Sequence, residues 1–154
     1  MLCIFDLDGT VIDSSHRQLT QPDGTLNLQA WRDRCTPAMI AQDGELPLIH
    51  WARECIARGY EVIACTAREM SAADYDWLRE HGLEFSAILS RPVGCTLPDA
   101  RLKVMLLADF ARMSGESLMS LGARSVFWDD SASVRDTLAD FGFSMLNPAQ
   151  VQYA

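Results

Sequence analysis

Five short apolar runs constrain the fold of this chain more than any other feature. Each run is three or four residues long and, apart from Ser144 in the last, continuous, which is typical of strands buried on both faces of a parallel sheet. The runs cover residues 2–5, 62–65, 87–89, 126–128 and 143–146. Their spacing leaves room for a helix between most neighbouring pairs.

Those intervening stretches carry helical patterns. Apolar residues recur at helical spacing over 48–56, 102–113 and 134–141. Between the second and third runs, Ser71 and Asp74 have the spacing of a capping box, which opens a helix. This alternation predicts an α/β protein: a Rossmann-like three-layer sandwich with a central parallel five-stranded sheet and helices on both faces.

Residues 14–44 interrupt the alternation. They form a connection of about thirty residues with one candidate helix, at 28–34, and a turn sequence at 22–24. Long connections inside a compact domain are uncommon and often carry function. We therefore expect a single domain over 1–154, with 14–44 as a small cap insertion over the site.

Composition limits the class of protein. With 154 residues and 49% apolar content, the chain can bury a substantial core. No run approaches the roughly 20 apolar residues that span a bilayer, and the cysteines lack a Cys-x-x-Cys pair. We expect a soluble, cytoplasmic protein with reduced cysteines. The net charge of -8 disfavours sequence-blind binding to nucleic acid.

Acidic residues follow two of the predicted strands. Asp6 and Asp8 come directly after the first, and Asp129 and Asp130 follow the fourth. Ligands of open α/β sheets bind beyond the carboxyl ends of the strands, so these four carboxylates can converge. They would repel one another unless a cation lay among them. Mg²⁺, a hard ion that prefers oxygen ligands, is the expected cofactor.

The order of the motifs along the chain narrows the class further. The motifs are Asp6-Leu7-Asp8-Gly9-Thr10, then Thr66 after the second strand, Lys103 on a helix, and Asp129-Asp130. This order resembles the four motifs of the haloacid dehalogenase (HAD) superfamily of phosphatases. Lys103 is also the only lysine among thirteen basic residues, which favours a specific role for it over a solvated surface position.

The resemblance implies a role for each matching residue. Asp6 would be the nucleophile that forms an aspartyl-phosphate, and Asp8 the general acid and base. Thr66 would bind the phosphoryl group, and Lys103 would neutralise its charge.

The same resemblance implies the metal ligands. Mg²⁺ would be held by Asp6, the backbone carbonyl of Asp8 and Asp129, with Asp130 supporting or completing the shell.

Shorter segments resemble a narrower family, the 3'-phosphatase domain of phage polynucleotide kinases and its stand-alone relatives. They are 15–17, Trp31, 43–47, 59–60, 66–69, 77–78 and the stretch from Ser90-Arg91 to Lys103. The resemblance implies a nucleotide or a polynucleotide 3'-phosphate as substrate. Cys95 and Leu97 depart from it, because that family would have an acid and a base there. No phosphate-binding loop of a kinase is present.

Arginine grips phosphate well, so four basic or titratable side chains are candidate substrate contacts. They are Arg68, Arg91, His16 and Arg17. Trp31, in the insertion, is a candidate for stacking on a base, whereas Trp51 lies on an apolar stripe and is expected in the core.

Three functions stay open at this level. The leading one is a phosphomonoesterase acting on nucleotides or nucleic-acid 3' ends. The alternatives are a phosphatase of sugars or other small metabolites, and a noncatalytic binding module. A dehalogenase is disfavoured, because the second acid, Asp8, suits phosphoryl chemistry. The sequence leaves the oligomeric state open.

Overall fold

The computed structural model describes residues 1–18 and 27–150, and its strands form two sheets. The strands are β1 (Leu2–Phe5), β2 (Ile12–Asp13), β3 (Gly44–Glu45), β4 (Glu61–Cys65), β5 (Ala87–Leu89), β6 (Ser125–Trp128) and β7 (Ser144–Leu146). The main sheet has the order β5-β4-β1-β6-β7, with every neighbouring pair parallel. All five predicted strands are confirmed, with starts that differ by at most one residue.

In the described part of the chain, seven α-helices accompany the strands. They are α1 (Leu28–Asp33), α2 (Pro37–Ile40), α3 (Ile49–Ala57), α4 (Ala72–Glu80), α5 (Asp99–Met113), α6 (Leu118–Ala123) and α7 (Ala132–Ala139). The four helices predicted from apolar periodicity or the capping box correspond to α3, α4, α5 and α7. The capping box is present too, since the Ser71 backbone N–H donates to Asp74 Oδ2 at 2.8 Å.

Alternate residues of the strands feed two separate cores. Cys3 and Phe5 of β1 pack in a cluster with residues of α3 and α4, and Trp51 packs against this cluster as expected. Leu2 and Ile4 pack on the opposite face with residues of α5, α6 and α7. Two helical layers therefore enclose the sheet, which confirms the predicted three-layer α/β sandwich.

The helix α6 was not predicted. It has only six residues and contains Gly122, a poor helix former. A Cβ at this position would lie 2.8 Å from the Phe141 carbonyl oxygen and 2.9 Å from the Phe143 ring. Close packing against residues 141–143, just before β7, accounts for glycine at this position and is not visible in the local sequence.

The two ends of the insertion meet in the second, two-stranded sheet. There β2 and β3 pair in antiparallel orientation at the base of the insertion. The predicted helix in it is confirmed as α1, where Asn27 Oδ1 accepts from the Ala30 N–H, and the unpredicted α2 follows. The turn sequence 22–24 lies outside the described residues. Within the described ranges, no helix is long and apolar enough to cross a membrane.

Candidate active site

The carboxyl ends of three neighbouring strands position the candidate site. Asp6 follows β1, Thr66 follows β4 and Asp129 follows β6. From the central β1 the chain builds β4 and β5 on one side and β6 and β7 on the other, so the strand order reverses here. A cavity of about 800 Å³ opens at this edge, and Asp6, Asp8 and Lys103 are among its lining residues.

Three carboxylates meet on the floor of the cavity. Asp6, Asp129 and Asp130 each offer an oxygen within 4.8 Å of the others. The Lys103 ammonium donates to Asp6 Oδ1 at 2.8 Å and to Asp129 Oδ2 at 2.6 Å. Thr10 donates to the other Asp6 oxygen at 3.1 Å, so both oxygens of this carboxylate are held.

Electrostatics at this cluster favour a bound cation. Burial and the charge of Asp6 raise the pKa of Asp129 to about 6 and that of Asp130 to about 7. Burial alone would lower the pKa of Lys103, but the charges of Asp6 and Asp129 raise it above its usual value. One ammonium thus faces three acids. The remaining negative charge and the purely oxygen donor set suit Mg²⁺.

Gly9 makes the close approach of Asp130 possible. Its φ is +77°, in the left-handed region, and a Cβ there would lie 2.8 Å from Asp130 Cγ and closer still to Oδ2. Glycine at this position therefore allows both the turn after Asp8 and the close approach of the Asp130 carboxylate.

The Asp8 carboxylate is bound by the Arg68 guanidinium. The guanidinium donates to both Asp8 oxygens, with Nε 3.1 Å from Oδ2, and Ser14 donates at 2.5 Å. Burial alone would raise the pKa of Asp8, but the charge and hydrogen bonds of Arg68, together with Ser14, hold the pKa below its usual value. Asp8 is therefore ionised in the free protein.

Arg68 continues into a buried network of charges. It also donates to Asp74 Oδ1 at 2.5 Å and lies 3.4 Å from Asp43 Oδ2. Arg17 grips the same Asp43 with two bonds of 2.9 and 2.8 Å. The network joins the insertion, through Arg17 and Asp43, to Asp8 beside the acidic cluster.

The structure does not bring Arg17 or His16 to the cavity. Arg17, which was expected to contact substrate, is 0% exposed, and its guanidinium donates hydrogen bonds to Asp43 and to Cys35 Sγ. His16 Nε2 lies 3.1 Å from the Met39 carbonyl oxygen and does not line the cavity. Both side chains organise the insertion instead.

Arg91 lines the cavity but also fastens a loop. It donates to the carbonyl oxygens of Ala67, Cys95 and Leu97 at 2.8 to 2.9 Å, and to Asp99 Oδ1 at 2.9 Å. The loop 91–99, which carries the two departures from the polynucleotide phosphatase pattern, is held in place by these bonds.

Thr66 lies under the surface beside β5. It is 1% exposed, its N–H donates to the Leu89 carbonyl at 2.8 Å, and its Oγ1 accepts from the Arg68 N–H at 3.0 Å. Thr66 is not among the residues that line the cavity.

Sequence reasoning missed several residues of the site. Thr10, Ser14, Asp43 and Asp74 contact the predicted residues but were given no role at the site. Asp74 was interpreted as a helix cap, and it performs both tasks. The signal for Asp43 was its place in the segment 43–47, at the end of the insertion that also holds Arg17.

Solved structures identify the class of fold. A HAD-like hydrolase from Streptococcus pneumoniae, SP0104, superposes with a TM-score of 0.69 at 15% identity, covering 95% of this chain and 83% of that one. The Pnkp1/Rnl/Hen1 RNA repair complex gives 0.65 at 19% identity, covering 94% and 41%. A HAD family enzyme from Bacteroides thetaiotaomicron, solved with magnesium and inorganic phosphate, gives 0.52 at 11%, covering 95% and 92%. The fold is that of HAD-superfamily hydrolases, as the motif order indicated.

The family follows from the sequence. The model of the bacteriophage T5 5'-deoxynucleotidase family matches residues 1–152, and the chain belongs to this family. The 5'-deoxynucleotidase of Escherichia phage T5 is 42% identical over 84 residues, which are 52% of this chain and 34% of that protein. The match thus spans about a third of the curated relative. These names agree with a hydrolase of nucleotides, and the polynucleotide 3' end stays a prediction.

Proposed function

We propose that this protein is a Mg²⁺-dependent phosphatase that hydrolyses deoxynucleoside 5'-monophosphates through an aspartyl-phosphate on Asp6. The observation that carries the proposal is the Lys103 ammonium bound to both Asp6 and Asp129, with Asp130 beside them, on the floor of an open cavity. Membership of a 5'-deoxynucleotidase family supports the nucleotide substrate. A noncatalytic module would have no use for a nucleophile held by two donors.

The metal would be held by Asp6, Asp129 and Asp130, with the Asp8 backbone carbonyl as a further ligand. Bound Mg²⁺ would neutralise charge on the transferring phosphoryl oxygens. The raised pKa values of Asp129 and Asp130 support this assignment, because a cation would relieve the repulsion that raises them. The Bacteroides neighbour solved with magnesium and phosphate also supports it.

In the first step, one Asp6 oxygen attacks phosphorus and the bond to the 5' oxygen breaks. Thr10 and Lys103 hold the Asp6 carboxylate in one orientation for this attack. Thr66, at the end of the neighbouring strand β4, would donate its hydroxyl proton to the phosphoryl group. Asp8, ionised in the free protein, takes up a proton from solvent as the substrate binds and gives it to the departing oxygen. An approaching phosphate anion raises the pKa of Asp8, because negative charge nearby favours the neutral acid.

In the second step, water attacks the phosphorus of the aspartyl-phosphate. Asp8, now ionised, accepts the proton of that water, and the bond between phosphorus and Asp6 breaks. The Asp6 carboxylate and inorganic phosphate result. The ion pair with Arg68 suits this step, since it stabilises the ionised form of Asp8.

The segment 14–44 completes the proposal as a small cap within a single domain. Trp31, from this segment, lines the cavity, and the buried pair of Arg17 and Asp43 connects it to Arg68. This arrangement supports a cap that is fixed to the site rather than separate from it.

Phosphate release tests the proposal. The substrates are deoxynucleoside 5'- and 3'-monophosphates, a 3'-phosphorylated oligonucleotide and simple sugar phosphates, each with Mg²⁺ and with excess chelator. We expect release from the 5'-monophosphates that the chelator abolishes. Preference for the oligonucleotide 3' end would instead support the prediction of a polynucleotide 3'-phosphatase. Preference for a sugar phosphate would support a metabolite phosphatase. No release from any substrate would support a noncatalytic binding module.

A further inference from the structure

An apolar wall adjoins the acidic floor of the cavity. We define this apolar wall as the side chains of Trp31, Met70, Val93, Leu97 and Pro98, all of which line the cavity. Val93 is 89% exposed, so it makes almost no packing contribution to the protein. Apolar surface beside a cluster of charges is typical of sites that bind small ligands with a polar end and an apolar end.

Trp31 is held in place before any ligand arrives. The guanidinium carbon of Arg17 lies 4.3 Å from the centroid of the Trp31 ring, and Arg17 is itself fixed by Asp43. Cys35 Sγ donates to the Trp31 carbonyl oxygen at 3.0 Å. An immobilised aromatic ring loses little entropy on stacking, which favours affinity.

Three of the other four side chains of the apolar wall lie on one loop that hydrogen bonds hold in place. Val93, Leu97 and Pro98 belong to the loop 91–99, whose carbonyl oxygens at Cys95 and Leu97 accept bonds from Arg91. The Gly94 N–H donates to Glu69 Oε1 at 3.3 Å, which ties the loop to the segment after β4. Both parts of the apolar wall are therefore preorganised.

The charges around the cavity do not suit a nucleic-acid backbone. Six carboxylates and four cations line it, and three of the cations, Arg68, Arg91 and Lys103, are in ion pairs. The fourth, Arg32, pairs with none of the described residues. Binding a phosphodiester chain needs several cations that are available to phosphate, and excess negative charge opposes it.

We infer that the apolar wall is the subsite for the nucleobase of the substrate. The inference rests on the proposed function and adds the substrate's second anchor. The phosphate lies at the acidic floor, and the base lies on Trp31 and the loop 91–99. The cavity volume of about 800 Å³ is of the size that accommodates one small ligand.

Paired kinetics test the inference. Wild type, Val93→Ser, Leu97→Ser and Trp31→Leu are compared on a deoxynucleoside 5'-monophosphate and on deoxyribose 5-phosphate, which lacks the base. Met113→Ser is the matched control, since Met113 is 86% exposed and does not line the cavity. We expect Trp31→Leu to raise KM for the nucleotide about tenfold, the usual effect of losing a base-stacking ring.

The same variants should lower kcat/KM for deoxyribose 5-phosphate by less than they lower it for the nucleotide, and Met113→Ser should match wild type on both. Equal kcat/KM for both small substrates in wild type, or equal losses on both in the variants, would overturn the inference while leaving the phosphatase function intact.

Binding of the deoxynucleoside alone, measured by saturation-transfer NMR, separates the two proposals. It needs neither metal nor turnover. Binding by wild type that Trp31→Leu weakens supports the subsite even if no phosphate is released. Absence of binding, together with turnover of both phosphate esters, removes the subsite and keeps the function. Absence of both binding and turnover removes the two proposals together.

Discussion

Replacing Gly9 with alanine tests how the backbone builds the acidic cluster. Two effects follow from the geometry of this position. The residue has a φ of +77°, and a new Cβ would lie 2.8 Å from Asp130 Cγ. The first effect is a cost in backbone energy, and the second is the displacement of a carboxylate that we assign to the metal site.

The size of the backbone effect can be separated from the displacement. An L-residue in the left-handed region costs about 1–2 kcal/mol. For a protein of this size, that is a decrease of about 2–8 °C in Tm. Gly59 is the matched control: its φ is +78°, and a Cβ there would meet nothing within 4 Å. Gly59→Ala should therefore show the backbone cost alone.

Three measurements on the two variants complete the test. Urea denaturation gives the free energy of unfolding, calorimetric titration gives the affinity for Mg²⁺, and phosphate release gives turnover. We expect both variants to lose stability, and only Gly9→Ala to lose Mg²⁺ affinity and turnover. If Gly9→Ala bound Mg²⁺ and turned over substrate as well as Gly59→Ala does, the role we give to the approach of Asp130 would be refuted.

Three other perturbations address the nucleophile, the metal and the charge network. Asp6→Asn should abolish phosphate release. Its circular dichroism spectrum, and its free energy of unfolding without Mg²⁺, should still be those of a folded protein. Turnover by this variant would show that Asp6 is not the nucleophile. The pKa values of Asp129, about 6, and Asp130, about 7, are raised, so these acids bind protons below pH 7 that Mg²⁺ must displace. Calorimetry from pH 6 to 8 should therefore show affinity that rises with pH, by up to about tenfold per unit for each proton released, and a flat profile would contradict the assignment. Arg17→Met leaves the buried Asp43 carboxylate without its main partner and should cost about 3–5 kcal/mol in urea denaturation. The double variant with Asp43→Asn should recover part of that loss, and additive losses would show that the two side chains act independently.

Local sequence was enough to predict the main sheet and most helices. The runs of the three central strands β1, β4 and β6 are largely buried on both faces, so they are continuously apolar and stand out without an alignment. The capping box of Ser71 and Asp74 also marked the start of α4, because its two partners are only three residues apart in the chain. Features that depend on neighbours in the chain are readable in the sequence.

Features that depend on distant partners were not readable. Arg68 lines the cavity, as expected of a substrate contact, but its partners Asp8 and Asp43 are 60 and 25 residues away in the chain and were not predicted. Arg17 was likewise expected to contact substrate. Its burial against Asp43 cannot be read from the residues that neighbour it in the chain. Arginine that grips a carboxylate and arginine that grips a phosphate have the same local sequence signature.

The candidate site lies between these two cases. The order of Asp6, Lys103 and Asp129 predicted that they converge, and the structure places Lys103 in contact with both acids. The chemical roles of the three residues remain a proposal that only measurements of turnover and metal binding can test.

Direct detection of phosphorylated Asp6 tests the central claim most directly. The enzyme would be mixed with a deoxynucleoside 5'-monophosphate and Mg²⁺, quenched in acid within milliseconds, digested and analysed by mass spectrometry. We predict a phosphoryl group on the peptide that contains Asp6, absent with chelator and absent in Asp6→Asn. Rapid turnover with no phosphorylated peptide, or with the phosphoryl group on another residue, would contradict the account.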